Sequence, residues 1–92
     1  MDHERFHLSR AARASVSDDG LILLDVDGGL VLSSNAVGAR IWQLLEQQRT
    51  TSEIAAQLVE DHAISAERAL QDVHAFVGDL LARGLVSGEE RR

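Results

Sequence analysis

The period of the apolar residues changes once along this chain, near residue 35. Before that point they come in short runs suited to strands: Ala14-Ser15-Val16-Ser17, Leu21-Ile22-Leu23-Leu24-Asp25-Val26 and Leu30-Val31-Leu32-Ser33. Asp18-Asp19-Gly20 and Asp27-Gly28-Gly29 separate the runs, and Ser34-Asn35 ends the third. Asp-Gly and Gly-Gly steps between apolar runs mark hairpins, because tight primed turns need residues that tolerate positive φ. The pattern predicts a three-stranded antiparallel meander. If strand order follows the sequence, Leu30 to Ser33 is an edge with unpaired N–H and C=O groups.

After residue 35 the spacing becomes helical. Asn35 or Ser34 is an N-cap, and Val37, Ile41, Leu44 and Leu45 follow the 3.6-residue period, with Trp42 expected on the flank of that stripe as a core anchor. Thr50 and Glu53 have the spacing of a capping box, which starts a second helix buried through Ile54, Ala55, Leu58 and Val59. Ser65 caps a third and longest helix, with Glu67 in the first turn, where the macrodipole favours an acid. Its stripe is Ala66, Ala69, Leu70, Val73, Phe76, Val77, Leu80 and Leu81, and Gly84 follows as the stop. Three strands followed by three helices predict an α+β domain, winged-helix-like in outline, with the helices on one face of the sheet. The domain is expected over residues 12–86, with residues 1–11 loosely ordered and 87–92 a disordered tail.

Composition narrows the function. The chain has 92 residues, enough for one domain, and 45% of them are hydrophobic, as in ordinary globular proteins. It has no Cys, which removes disulfides and thiolate zinc sites. The polar start, Met-Asp-His-Glu-Arg-Phe-His, does not read as a signal peptide, and no apolar run reaches the roughly 18 residues of a membrane span. The cytoplasm is the expected compartment, with no membrane partner. Net charge is −6 and all nine basic residues are Arg. A winged-helix regulator was the natural alternative for this element order, but residues 52–62 hold no Arg or Lys and do hold Glu53, Glu60 and Asp61. Nucleic acid is disfavoured as a partner.

Catalytic chemistry has no evident carrier. There is no nucleophile elbow, Gly-rich phosphate loop or paired-ligand motif, so no catalytic residue, metal site or cofactor is expected. His3 and His7 would suit a metal only if the N-terminus were helical, and a solvated terminus is the better reading. His62 ends the second helix, where a cation suits the dipole. Asp25 and Asp27 alternate along a strand and are expected to face solvent.

The residues Asp19-Gly20-Leu21-Ile22-Leu23-Leu24-Asp25, and above all the Asn-x-x-Gly-x-x-Ile-Trp-x-Leu-Leu run from Asn35 to Leu45, resemble the PqqD-like family. That family comprises the pyrroloquinoline-quinone biosynthesis chaperone and the RiPP recognition elements, where RiPPs are ribosomally made, post-translationally modified peptides. The likeness continues through Arg49 to Ile54 and Asp72 to Leu80, covering about residues 12–86. Ser34 departs from the family's usual Leu, and Gln47-Gln48 replace its usual Gly.

The resemblance implies a non-catalytic protein that captures a precursor's leader peptide as an added strand against the third strand, beside the third helix. On that basis the groove is expected at Leu30, Val31, Leu32, Ser33, Ala69, Asp72, Val73 and Phe76. Ala69 would leave room for a bulky leader side chain, Phe76 would wall an aromatic or proline pocket, and Asp72 would accept a leader N–H or pair with a cation. Leu32, Val73 and Phe76 fit core packing equally well, and Asp72 fits a solvated helix face. A free-standing element of this size is similar to those of lasso-peptide pathways, with a leader protease as partner. The alternative within the family is a chaperone for the pyrroloquinoline-quinone precursor and its radical enzyme.

Overall fold

The computed structural model describes residues 5–25 and 31–88. Asp27, Leu30 and the Gly28-Gly29 turn lie outside the described residues, as do the side chains of Asp25 and Val31. The chain runs β1 (Phe6–Leu8), β2 (Ala12–Ser17), β3 (Gly20–Asp25), β4 (Val31–Asn35), α1 (Ala36–Glu46), α2 (Thr51–His62), α3 (Ala66–Ala82) and β5 (Val86–Gly88). The expected antiparallel meander, β2-β3-β4, is present and is followed by three helices, so the fold is α+β. Alternation along β3 sends Leu21 and Leu23 into the core, at 2% and 0% exposure, and leaves Ile22 and Leu24 on the open face.

The first turn forms for a different reason from the one expected. Ser17 pairs with Gly20 around Asp18 and Asp19, and none of these residues has positive φ. What Gly20 supplies is space, because a Cβ there would collide with the Ser34 carbonyl oxygen of β4.

Helix ends follow their side chains. Asn35 Oδ1 accepts the Gly38 N–H at 3.0 Å and starts α1. Thr50 and Glu53 close a reciprocal capping box on α2, with bonds of 3.2 and 2.9 Å. Ser65 Oγ accepts the Arg68 N–H at 3.1 Å to start α3. Gly84, at φ 74, ends α3 with paired bonds from Gly84 N–H to Leu81 and from Leu85 N–H to Leu80, the Schellman arrangement. Trp42 is wholly inside the core rather than on its flank, and its indole N–H donates to Glu46 at 3.1 Å. The α3 stripe is narrower than its sequence pattern: Ala69, Val73, Val77 and Leu80 are buried, whereas Ala66 and Leu81 are exposed.

The N-terminal segment corrects an expectation. Phe6–Leu8 is a strand, not a loose end, and pairs antiparallel with β5, which takes in Ser87 and Gly88 of the expected tail. Phe6 is 5% exposed and joins the central core cluster, and Leu8 packs against it. Arg5 Nε donates to the Gln48 carbonyl at 3.1 Å, and Ser9 N–H donates to Leu85 at 2.9 Å. Gln48 itself has φ 63, a left-handed conformation that glycine would adopt without a Cβ penalty. The two terminal strands act as a clasp that a local reading of residues 1–11 had no means to find. No described helix is long and apolar enough to cross a membrane.

Candidate functional site

β4 ends the meander, so one of its sides has no strand neighbour among the described residues. Hydrogen-bond direction alternates along an antiparallel ladder, and the two-residue turn makes Ser17 and Gly20 a bonded pair. It follows that Gly20, Ile22 and Leu24 point their main-chain groups at β2, and Leu21 and Leu23 point theirs at β4. Their partners Ser34 and Leu32 are therefore occupied within the sheet, and Val31 and Ser33 direct their N–H and C=O groups to the open edge. The Ser34 carbonyl lying against Gly20 agrees with this direction. The opposite edge, on β2, is partly blocked: Arg13 Nη1 donates to the carbonyls of Arg10 and Ala12 at 2.7 and 3.0 Å.

Beside the β4 edge lies a groove of about 300 Å³. One wall is the end of β4 and the first turns of α1, through Ser34, Asn35, Val37, Gly38 and Ile41. The other is a face of α3, through Arg68, Asp72, Ala75, Phe76 and Asp79. The floor is apolar and the α3 rim is charged. Arg68 Nε holds Asp72 at 3.2 Å, and Arg83 Nε holds Asp79 at 3.0 Å, each one helical turn away. The groove's described lining offers an apolar socket edged by hydrogen-bonding groups.

The expected site residues divide. Val31 and Ser33 sit on the open edge, Ser33 on the outer face opposite Ile22. Leu32 faces inward and packs half-buried against the core. Asp72 and Phe76 line the groove. Ala69 and Val73 do not: both are 0% exposed and back the groove from inside the core. The expectation took the buried stripe of α3, whereas the groove uses the adjacent flank at 68, 72, 75, 76 and 79. Ser34, Asn35, Val37 and Gly38 were missed altogether, although Asn35 and Gly38 stand in the most specific motif of the chain.

A second, more polar cleft lies on the far side of α1, bounded by Val16 to Asp18 of the hairpin and by Arg40, Asp61 and His62.

The family model for coenzyme PQQ synthesis protein D (PqqD) matches residues 20–86. The chain belongs to the PqqD family. The matched span includes β3, β4 and all three helices, which build both walls of the groove, and leaves β1 and β2 outside. Two solved structures share this PqqD-family fold. "TbiB1 in Complex with the TbiA(beta) Leader Peptide" superimposes with a TM-score of 0.81 at 27% identity, over 92% of this chain and 99% of that one. "Lasso peptide synthetase B1 complexed with the leader peptide" gives 0.79 at 26% identity, over 89% and 96%. No curated protein sequence gives a significant match.

Proposed function

We propose that this chain is a non-catalytic RiPP recognition element that binds the leader of a precursor peptide by strand addition to β4 and presents it to a maturation enzyme. The pathway best supported is lasso-peptide biosynthesis, with the leader protease and the cyclase as enzyme partners. The observation that carries the reading is the likeness, over nearly their whole length, to two proteins both solved with a leader peptide bound. The geometry supports the same role. An extended peptide can pair with the N–H and C=O groups of Val31 and Ser33, which provides affinity with little sequence choice. Its alternate side chains then enter the groove between β4 and α3, where Phe76, Ile41 and Val37 select for shape and Asp72 and Asp79 for charge. A chaperone for the pyrroloquinoline-quinone precursor and its radical enzyme is the second reading, favoured by the description of the family itself.

The test is fluorescence polarisation with labelled leader peptides of both classes, the TbiA(beta) leader and a pyrroloquinoline-quinone precursor. Val31→Pro and Ser33→Pro each remove an outward N–H and are expected to weaken binding about tenfold or more. Ala14→Pro removes an outward N–H from the opposite edge and is expected to leave binding unchanged. Equal loss in all three folded variants, or none, would refute capture at β4. Preference for the quinone precursor would select the second reading.

A further inference from the structure

Gly38 is the point where the two walls of the groove meet. It lies in the first turn of α1, and its φ is not positive, so the backbone there does not require glycine. Glycine inside a helix costs about 1 kcal/mol relative to alanine. What the position requires is room. A Cβ on Gly38 would collide with Oγ of Ser34, lie 2.7 Å from Ser34 Cβ and come within 3.2 Å of Phe76 Cε1. Ser34 belongs to β4 and Phe76 to α3, so the two neighbours of this position come from opposite walls of the groove. Strand wall and helix wall therefore close on one bare α-carbon.

We propose that Gly38 is a specificity-determining residue of the leader groove, setting the size of the leader side chain admitted between Ser34 and Phe76. This rests on the reading of the chain as a leader-binding element. A strand added along β4 puts every second side chain on the inward face shared by Leu32 and Ser34. The one beside Ser34 enters the space bounded by Gly38, Val37, Ile41 and Phe76, which suits a large aliphatic or aromatic group. A methyl at position 38 cannot displace Ser34 Cβ without moving the strand. The Ser34 hydroxyl and the Phe76 ring edge give way first, and the open space for them is the groove. The socket narrows.

The experiment selects binders from a display library of short random peptides on the wild-type protein and on Gly38→Ala, with thermal unfolding to verify the fold. Selected peptides are then resynthesised with Ala, Leu, Phe or Trp at the groove-facing position. Gly38→Ala is expected to weaken the Phe and Trp peptides about tenfold more than the Ala peptide, the scale of one methyl in an apolar pocket. Adding Ser34→Gly is expected to restore much of the difference. Uniform weakening of all four peptides would mean that Gly38 matters only for packing, and the inference falls. Should Gly38→Ala not fold, Phe76→Leu enlarges the same socket and is expected to shift selection toward larger side chains; an unchanged profile overturns the inference. Failure of the wild type to select any peptide overturns the leader-binding reading itself, which distinguishes the two.

Discussion

Arg40 of α1 and Asp61 of α2 form an ion pair at 2.7 Å, joining residues 21 apart in sequence. Asp61 also accepts from Gln57 Nε2 at 3.1 Å, and these two donors, Arg40 first, hold its carboxyl below the usual aspartate range. The pair pins the end of α2 to α1 beside the polar cleft. A carboxyl with a depressed folded pKa stabilises the fold above its unfolded pKa, and that contribution is lost as pH falls through the folded value. Asp61→Asn is therefore expected to cost about 0.5 kcal/mol at neutral pH, in keeping with a partly exposed pair. Its stability should also decline less steeply than wild type below the ordinary value of 3.8. Thermal unfolding across acid pH measures both, and identical acid limbs would mean that the pair contributes nothing.

Phe6→Ala tests the terminal clasp. The ring is 5% exposed within the central cluster, so its removal is expected to cost about 3 kcal/mol, lowering the urea midpoint with little change in slope. An effect typical of an exposed residue would return residues 1–11 to the status of a loose end.

Thr50→Ala removes the hydroxyl that accepts the Glu53 N–H and is expected to cost about 1 kcal/mol. The groove lies on other elements, so affinity for a leader peptide should be unchanged when both proteins are folded.

Val73 and Phe76 are neighbours on α3 with opposite expected effects. Val73, at 0% exposure, backs the groove, and Val73→Ala should cost about 2 kcal/mol of stability while sparing affinity. Phe76 lines the groove, so Phe76→Ala should weaken leader binding by more than any loss in stability. Comparing dissociation constants with denaturant midpoints for the two variants separates lining from backing. Parallel losses in both would sink the distinction.

Much of the groove was half-legible in the chain. Val31, Ser33, Asp72 and Phe76 are expected from the family resemblance, which sets a leader between the third strand and the third helix, with Phe76 in the apolar stripe and Asp72 on its flank. Ala69 and Val73 were named for the same stripe and proved to be core, since a helical period identifies a buried face but not where its margin opens. A rotation of one residue along α3 separates the packed row at 69, 73 and 77 from the groove row at 68, 72, 76 and 79.

The local chemistry of the sequence determined the elements: Asn35, Thr50 and Ser65 as caps, Gly84 as the stop, and two apolar periods in order. Each of those signals acts within a few residues, which is why it can be read without coordinates. Only the tertiary structure decided that Phe6 reaches the core, that Gly20 is required by a carbonyl of β4, and that Ser34 and Phe76 both border the space a Cβ on Gly38 would take. These relations join segments far apart in the chain, and close packing rather than local preference sets them.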